Sequence, residues 1–179
     1  MNVIAQGGMM MWPLILLSIP ALAILLERWI FFISHPFPVK DANALTPPDT
    51  PGVFAPFFDA LFSEGSVSTK EKKTTMAAKA LLFSFNRSLD FLSTIATVAP
   101  LLGLLGTVVG MVQAFSKLAG SQAGMDIGLL ADGIWHALLT TAAGLVIAIP
   151  VLLAHQWFCA KVRQIAFEME CYANRILES

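Results

Sequence analysis

Residues Thr94–Met111 read TIATVAPLLGLLGTVVGM, and this stretch decides the fold. It lies within Phe91–Ser116, one of three windows that contain no Asp, Glu, Lys or Arg. The other two windows are Met1–Leu26 and Gly133–Ala160. Each window exceeds the roughly 20 apolar residues that a helix needs to cross a bilayer. We therefore predict an all-α integral membrane protein with three transmembrane helices.

The composition supports this prediction, since 56% of the residues are hydrophobic and only 13% are charged, against about a quarter charged in soluble domains. A secretory signal peptide has Lys or Arg before its apolar run. The first window has none there, so we interpret it as a retained span. The predicted segments are a short outer N-terminus (1–10), transmembrane helix 1 (11–33), a cytoplasmic loop with a helical extension (34–90), transmembrane helix 2 (91–116), a short outer loop (117–126), transmembrane helix 3 (127–156) and a cytoplasmic C-terminal helix (157–179).

The positive charges are distributed asymmetrically. Six of the eleven Lys and Arg residues lie between the first and second spans, three follow the third span, and none precedes the first. The positive-inside rule therefore predicts an outer N-terminus and a cytoplasmic C-terminus. With a net charge of −1 and no basic stripe, the sequence predicts no nucleic-acid partner.

A long helix is predicted to start at Lys70 and to lead into the second span, because the first Pro or Gly after Lys70 is Pro100. A short apolar stretch, Val53–Phe62, is predicted to form a turn or helix at the inner membrane surface. Apolar residues at heptad-like spacing predict that the second and third helices continue into the cytoplasm as a helical bundle; an ordinary amphipathic surface helix is the alternative. These residues are Ala78, Leu82, Phe85, Leu89 and Leu92, and Phe158, Val162, Ile165, Met169, Tyr172 and Ile176.

Small residues line one face of each of the last two spans. Such faces permit close approach between helices in lipid, where dispersion rather than the hydrophobic effect holds helices together. We predict a packing or partner-facing role for Gly103, Gly106, Gly110, Ala137, Gly144 and Ala148.

A polar line also runs along the third span, where Asp132, His136 and Thr140 are spaced four residues apart. Histidine is the side chain that ordinarily changes charge near neutral pH, so His136 is a candidate proton relay, although a neutral imidazole bonded to Asp132 or to a carbonyl fits equally well. If the helix starts near Asp126, His136 lies near the bilayer centre; if it starts near Asp132, His136 lies near the outer surface. A threonine in such a helix often bonds only the carbonyl four residues earlier.

The sequence predicts no enzyme, no metal site and no cofactor. Cys159 and Cys171 lack His or Cys partners at metal-ligand spacing and are predicted to be free thiols. No nucleophile–base pair or phosphate-binding loop is evident.

Two stretches resemble a known family. Val98–Met111 resembles the second span of the MotA/TolQ/ExbB proton-channel family, and Gly133–Pro150 resembles its third span. The resemblance covers roughly Leu92–Phe158, and it favours the ExbB/TolQ branch because the large cytoplasmic domain of flagellar MotA is missing.

The resemblance implies a bacterial inner-membrane motor that is driven by the proton-motive force. The chain would form a homopentameric ring in the lipid around two helices of an ExbD/TolR-like single-span partner, whose Asp accepts protons, with a TonB-like protein as a further partner. Thr107 and Thr141 match the channel-facing threonines of the family, and His136 stands where many members carry Glu. The predicted proton pathway is Thr107, Thr141, His136 and Thr140.

Two other readings remain open. A non-conducting scaffold or adaptor would share the glycine faces but would not depend on Thr107, Thr141 or His136. A solute transporter or a membrane enzyme is less consistent with three spans and one polar line. Within the motor interpretation, TonB-dependent transport across the outer membrane is the first choice over Tol-type envelope maintenance, gliding or defence.

Overall fold

Helices make up the described fold. The computed structural model describes residues 11–38, 52–120 and 127–178. Its helices are α1 (Met11–Ser34), α2 (Ala55–Leu61), which follows a 3₁₀ turn at Gly52–Phe54, α3 (Val67–Gly120) and α4 (Ile127–Glu178). α1, α3 and α4 are long and apolar enough to cross a membrane. The predicted all-α class with three spans is therefore confirmed, whereas the segment boundaries and their sides of the membrane stay predictions.

α3 begins three residues before the predicted start at Lys70. The carbonyl of Ser66 accepts hydrogen bonds from the amides of Thr69 (2.9 Å) and Lys70 (3.0 Å). The Ser66 and Thr69 hydroxyl oxygens also lie 2.9 Å apart, which places Ser66 in the position of an N-cap. Gly65 precedes it with φ +144°, a backbone conformation that L side chains rarely adopt. The turn before the helix is thus specified locally.

Three prolines lie inside the long helices without ending them: Pro20 in α1, Pro100 in α3 and Pro150 in α4. A proline removes one backbone N–H donor and is tolerated in spanning helices when neighbouring groups satisfy the freed carbonyl. The predicted continuity of the second helix through Pro100 is confirmed.

The chain divides into two compact units. The first, here called the apolar unit, combines Met1–Leu25 with Leu92–Ala154. Leu14, Ala99 and Ala148 form its buried cluster, against which half-buried apolar residues pack. The bulky residues Leu138, Leu145, Ile149 and Leu152 are exposed on α4.

The second unit, here called the aromatic unit, combines Leu26–Phe91 with His155–Ser179. Its core contains many rings in contact: the centroids of Phe32 and Phe158 are 5.4 Å apart and stacked, and those of Phe58 and Tyr172 are 5.8 Å apart and edge-on. Phe57 and Phe58 of α2 are buried. The predicted helix over Val53–Phe62 is thus present, but its apolar face is covered by protein.

The heptad-like seam is buried over most of its length in the aromatic unit. Phe85 and Leu89 of α3 and Phe158, Val162, Ile165, Met169 and Tyr172 of α4 are buried. In the same unit, Nη2 of Arg28 donates a 2.6 Å hydrogen bond to Ser88 Oγ, and Glu27 lies 3.5 Å from the guanidinium. This contact ties α1 to the cytoplasmic extension predicted from the sequence.

Truncation of the buried seam should destabilise the aromatic unit. We expect Phe158→Ala to lower the free energy of unfolding by about 3–5 kcal/mol, because Phe158 is fully buried and its loss leaves a cavity. Equilibrium unfolding in mixed micelles, followed by tryptophan fluorescence, measures this change.

The matched control is Phe167→Ala, which removes the same side chain from an exposed position of the same helix. This change should stay within about 0.5 kcal/mol of the parent. Equal losses from the two variants would contradict the packing described for this unit.

Candidate functional site

α3 and α4 approach closely in the apolar unit where their glycines meet. A Cβ added to Gly103 would lie 3.1 Å from the Cα of Thr141, and one added to Gly106 would lie 2.6 Å from Thr140 Oγ1. At Gly144 the added Cβ would lie 2.7 Å from the carbonyl oxygen of Ala99. The contacts at Gly106 and Gly144 leave no room for a Cβ unless a neighbouring group moves, and the contact at Gly103 is unusually tight. The glycines therefore allow the two backbones to touch, in line with the small-residue packing of membrane helices.

The remaining small residues extend this contact along both helices. A Cβ at Gly110 would lie 2.9 Å from the Cβ of Ala137, which is itself buried. Ala148 is buried beside Ala99. All six residues predicted for packing or partner contact thus lie where α3 and α4 of one chain meet or in the buried cluster beside them.

Three further small residues in the contact, Ala99, Ala114 and Gly133, were not singled out from the sequence. A Cβ at Gly133 would overlap the Cβ of Ala114, and a Cβ at Gly144 would lie 2.7 Å from the carbonyl oxygen of Ala99. Ala99 precedes Gly103 by four residues, and Gly133 precedes Ala137 by four. Extending each small-residue face by one more turn would have found them, because residues four apart share a helix face.

Thr107 and Thr141 form a hydroxyl pair that bridges α3 and α4. Their Oγ1 atoms are 3.0 Å apart. Thr141 Oγ1 donates to the carbonyl of Gly103 at 2.9 Å, and Thr107 Oγ1 lies 2.7 Å from the carbonyl of Leu104. Because each hydroxyl holds one hydrogen, either Thr107 donates to Thr141 while Thr141 donates to Gly103, or Thr141 donates to Thr107 while Thr107 donates to Leu104. The pair therefore has two hydrogen arrangements of similar geometry.

The hydroxyl pair is half-buried and lies in a segment that contains few charges. Among the described residues of the apolar unit, only Lys117 and Asp132 are charged. A threonine hydroxyl donates and accepts hydrogen bonds but does not titrate near neutral pH. The pair can thus orient a proton acceptor or water, but a charge carrier must come from another group.

The structure places His136 on the first turns of α4. The helix begins at Ile127, so His136 lies nine residues, or about 14 Å, along it; Asp126, near which one of the two predicted helix starts lies, is outside the described residues. Nδ1 of His136 donates to the carbonyl of Asp132 at 2.7 Å, and it lies 3.4 Å from Asp132 Oδ1. The geometry is that of an imidazole held by Asp132, which is one of the two roles left open by the sequence.

Thr140 differs from the threonine pair. It is buried, and its Oγ1 donates to the carbonyl of Ala137 at 2.7 Å, within its own helix. Its side chain also packs directly against Gly106 of α3. The structure thus brings Thr107 and Thr141 together, while Thr140 fills the helix contact and His136 bonds to Asp132 four residues earlier.

The two cysteines are free thiols. Cys159 Sγ lies 3.4 Å from Nε2 of His155, four residues earlier, so the prediction that Cys159 has no histidine at ligand spacing is wrong. Burial raises the pKa of the Cys159 thiol; Arg163 lowers this pKa and Asp90 raises it, both to a smaller extent. Within the described ranges, no three His, Cys, Asp or Glu side chains are grouped as metal ligands.

The chain is similar to proteins of known families over most of its length. The model of the MotA/TolQ/ExbB proton channel family matches residues 52–171. The biopolymer transport protein exbB1 of Vibrio cholerae is 31% identical over 84% of this chain and 75% of its own length. An ExbB-like 3 biopolymer transport protein of Synechocystis is 33% identical over 92% of this chain and 87% of its own length. The Tol-Pal system protein TolQ of Pseudomonas aeruginosa is 42% identical over 41% of this chain and 32% of its own length.

An exchange of side-chain size across the helix contact tests the packing. We expect Gly133→Ala to destabilise the protein by about 1–3 kcal/mol, because the new methyl group overlaps Ala114. The double variant Gly133→Ala/Ala114→Gly should recover most of this loss, since it moves the methyl group from one helix to the other. Thermal unfolding of the parent, Gly133→Ala, Ala114→Gly and the double variant in one detergent gives the coupling energy between the two sites. Additive losses would contradict the contact.

Proposed function

Because this chain belongs to the MotA/TolQ/ExbB proton channel family, we propose that it is the ring subunit of an inner-membrane motor driven by the proton-motive force. The relatives named above are ExbB-like and TolQ proteins, so the chain falls in the ExbB/TolQ branch. In this proposal the chain conducts protons only together with a partner, and it catalyses no chemical reaction.

The observation that carries the proposal is the Thr107–Thr141 pair in a unit with few charges. The two hydroxyls bridge α3 and α4. No carboxylate occurs in Phe91–Ser116 or in Gly133–Ala160. Moving a proton through such a segment requires a titratable group, since an isolated charge is unfavourable in hydrocarbon. A single-span partner of the ExbD/TolR type, with an Asp in its span, would supply that group.

The pair would act on the partner's Asp by hydrogen bonding. When this Asp is ionised, it accepts hydrogen bonds only; when it is protonated, it also donates one. The Thr107–Thr141 pair, with its two hydrogen arrangements, would serve both states at one position. Protonation would then change which hydrogen bonds hold the partner helix, and successive events would ratchet it against the ring. The available energy is about 2.3 kcal/mol per charge per 100 mV.

His136 and Thr140 take secondary parts in this proposal. His136, held by Asp132, would tune the access of protons from the outer side. Thr140 would keep α3 and α4 at the distance that aligns the threonine pair, because it packs on Gly106.

The assembly would be a homopentamer in the lipid of the bacterial inner membrane, with two partner helices inside the ring. Its N-terminus would be periplasmic and its C-terminus cytoplasmic. The work done would be energising TonB-dependent transport across the outer membrane, with a TonB-like protein as a further partner. The exbB1 relative of Vibrio cholerae, a biopolymer transport protein, supports this choice.

Removing one hydroxyl of the pair should uncouple proton flux. We expect Thr107→Val and Thr141→Val each to reduce flux at least tenfold, because valine keeps the shape of threonine but cannot hydrogen-bond the partner's Asp. The measurement is dye-detected proton flux in proteoliposomes that contain the chain with its single-span partner under an imposed potential.

The matched control is Thr97→Val, since Thr97 is exposed on the same helix and its hydroxyl bonds only the carbonyl of Ser93 in its own helix. This variant should keep the parental flux. Unchanged flux in both pair variants, at normal assembly, would sink the site assignment and favour the non-conducting scaffold.

A further inference from the structure

Two tryptophans from different helices stack on the surface of the aromatic unit. The ring centroids of Trp29 in α1 and Trp157 in α4 are 5.4 Å apart, with 25° between the ring planes. Both residues are nevertheless exposed, Trp29 to 53% and Trp157 to 40%. Aromatic side chains contribute most to stability when their large apolar area is buried. This pair instead presents ring surface that the described residues leave uncovered.

The tryptophan pair lies where the uncharged stretches of its two helices end. Glu27 and Arg28 are the first charged residues of α1, and Trp29 follows them directly. Lys161 is the first charged residue after the window Gly133–Ala160 of α4. Tryptophan is enriched at the membrane–water boundary, because its ring is apolar and its N–H is polar. The pair is therefore at the level where a lipid changes from acyl chain to headgroup.

A cation lies beside the pair. Nζ of Lys161 is 5.8 Å from the centroid of the Trp157 ring and 3.4 Å from Gln164 Oε1. No carboxylate among the described residues forms an ion pair with Lys161. Glu27 is two residues from Trp29, which places it about 200° away around α1. The ammonium group has three N–H donors, so it can bind an anion at the ring surface.

The order of these groups along the helices matches the order of groups in a phospholipid. Leu26 is exposed on the same face of α1, three residues before Trp29 and on its hydrocarbon side. Lys161 lies four residues beyond Trp157, on the water side. From Leu26 to Lys161 this surface extends about 10 Å along the helix axes. An acyl chain would cover Leu26, the glycerol esters would cover the two rings, and the phosphate would bind Lys161.

The combination of ring surface and cation selects among anions. A small soluble anion such as inorganic phosphate would use the ammonium group but none of the ring surface. A zwitterionic phospholipid would use the rings, but it carries no net charge to pair with Lys161. A phospholipid with a net negative charge uses both features, and basic groups between membrane helices are known to bind such headgroups.

We propose that Trp29, Trp157 and Lys161 form a binding site for an anionic phospholipid. The inference does not depend on the proposed proton pathway, because every residue it uses belongs to the aromatic unit.

Titration of the purified full-length protein in detergent with phosphatidylglycerol, and separately with phosphatidylcholine of the same acyl chains, tests the proposal. Native mass spectrometry counts the bound lipids. We expect one phosphatidylglycerol per chain, bound at least fivefold more tightly than phosphatidylcholine. Lys161→Gln should remove this preference, and Lys161→Arg should keep it. Trp157→Leu should weaken the binding of both lipids at least threefold, because it removes ring surface.

Two matched controls separate a defined site from general attraction to lipid. Lys72→Gln removes the same charge from an exposed position of α3, and Trp135→Leu removes an exposed tryptophan of α4 that is 22 residues from Trp157. Both should bind phosphatidylglycerol within twofold of the parent. Equal binding of the two lipids by the parent, loss of the preference in Lys72→Gln, or displacement of the lipid by inorganic phosphate at equal ionic strength would overturn the proposal.

Discussion

Backbone contact between α3 and α4 in the apolar unit is the constraint on which the rest of this structure depends. At Gly144 a single methyl group would already collide with the opposite helix, and at Gly103 it would lie only 3.1 Å from the Cα of Thr141. In lipid, helices gain little from burying apolar surface, so the distance between them decides how much dispersion energy they gain. The same short distance brings Thr107 and Thr141 within hydrogen-bond reach. Packing and polarity are therefore coupled in one contact.

Much of this arrangement follows from the sequence. The uncharged windows predicted three spanning helices, and the absence of Pro and Gly after Lys70 predicted a continuous helix. Glycines three and four residues apart predicted a close contact. The face of a helix is encoded locally, because residues three or four apart lie on one side of it.

The pairing register is not encoded in this way. Thr107 and Thr141 are 34 residues apart, and only the docked helices show that they meet. A cleft between the early part of α3 and the late part of α4 was likewise missed, because the heptad pattern predicted unbroken packing through Ala78 and Leu82. Apolar spacing identifies the buried face but not whether the side chains fill it, and alanines at 78, 166 and 173 are too small to close this part of the seam.

The central claim is that this chain supplies an uncharged, hydroxyl-lined surface and that a partner supplies the titrating carboxylate. Native mass spectrometry of the chain, purified together with its candidate single-span, Asp-bearing partner, tests this claim most directly. We predict an intact complex of several copies of this chain, five in our account, that enclose two copies of the partner. Recovery of the chain alone, or in a complex without any such partner, would contradict the account and indicate a scaffold.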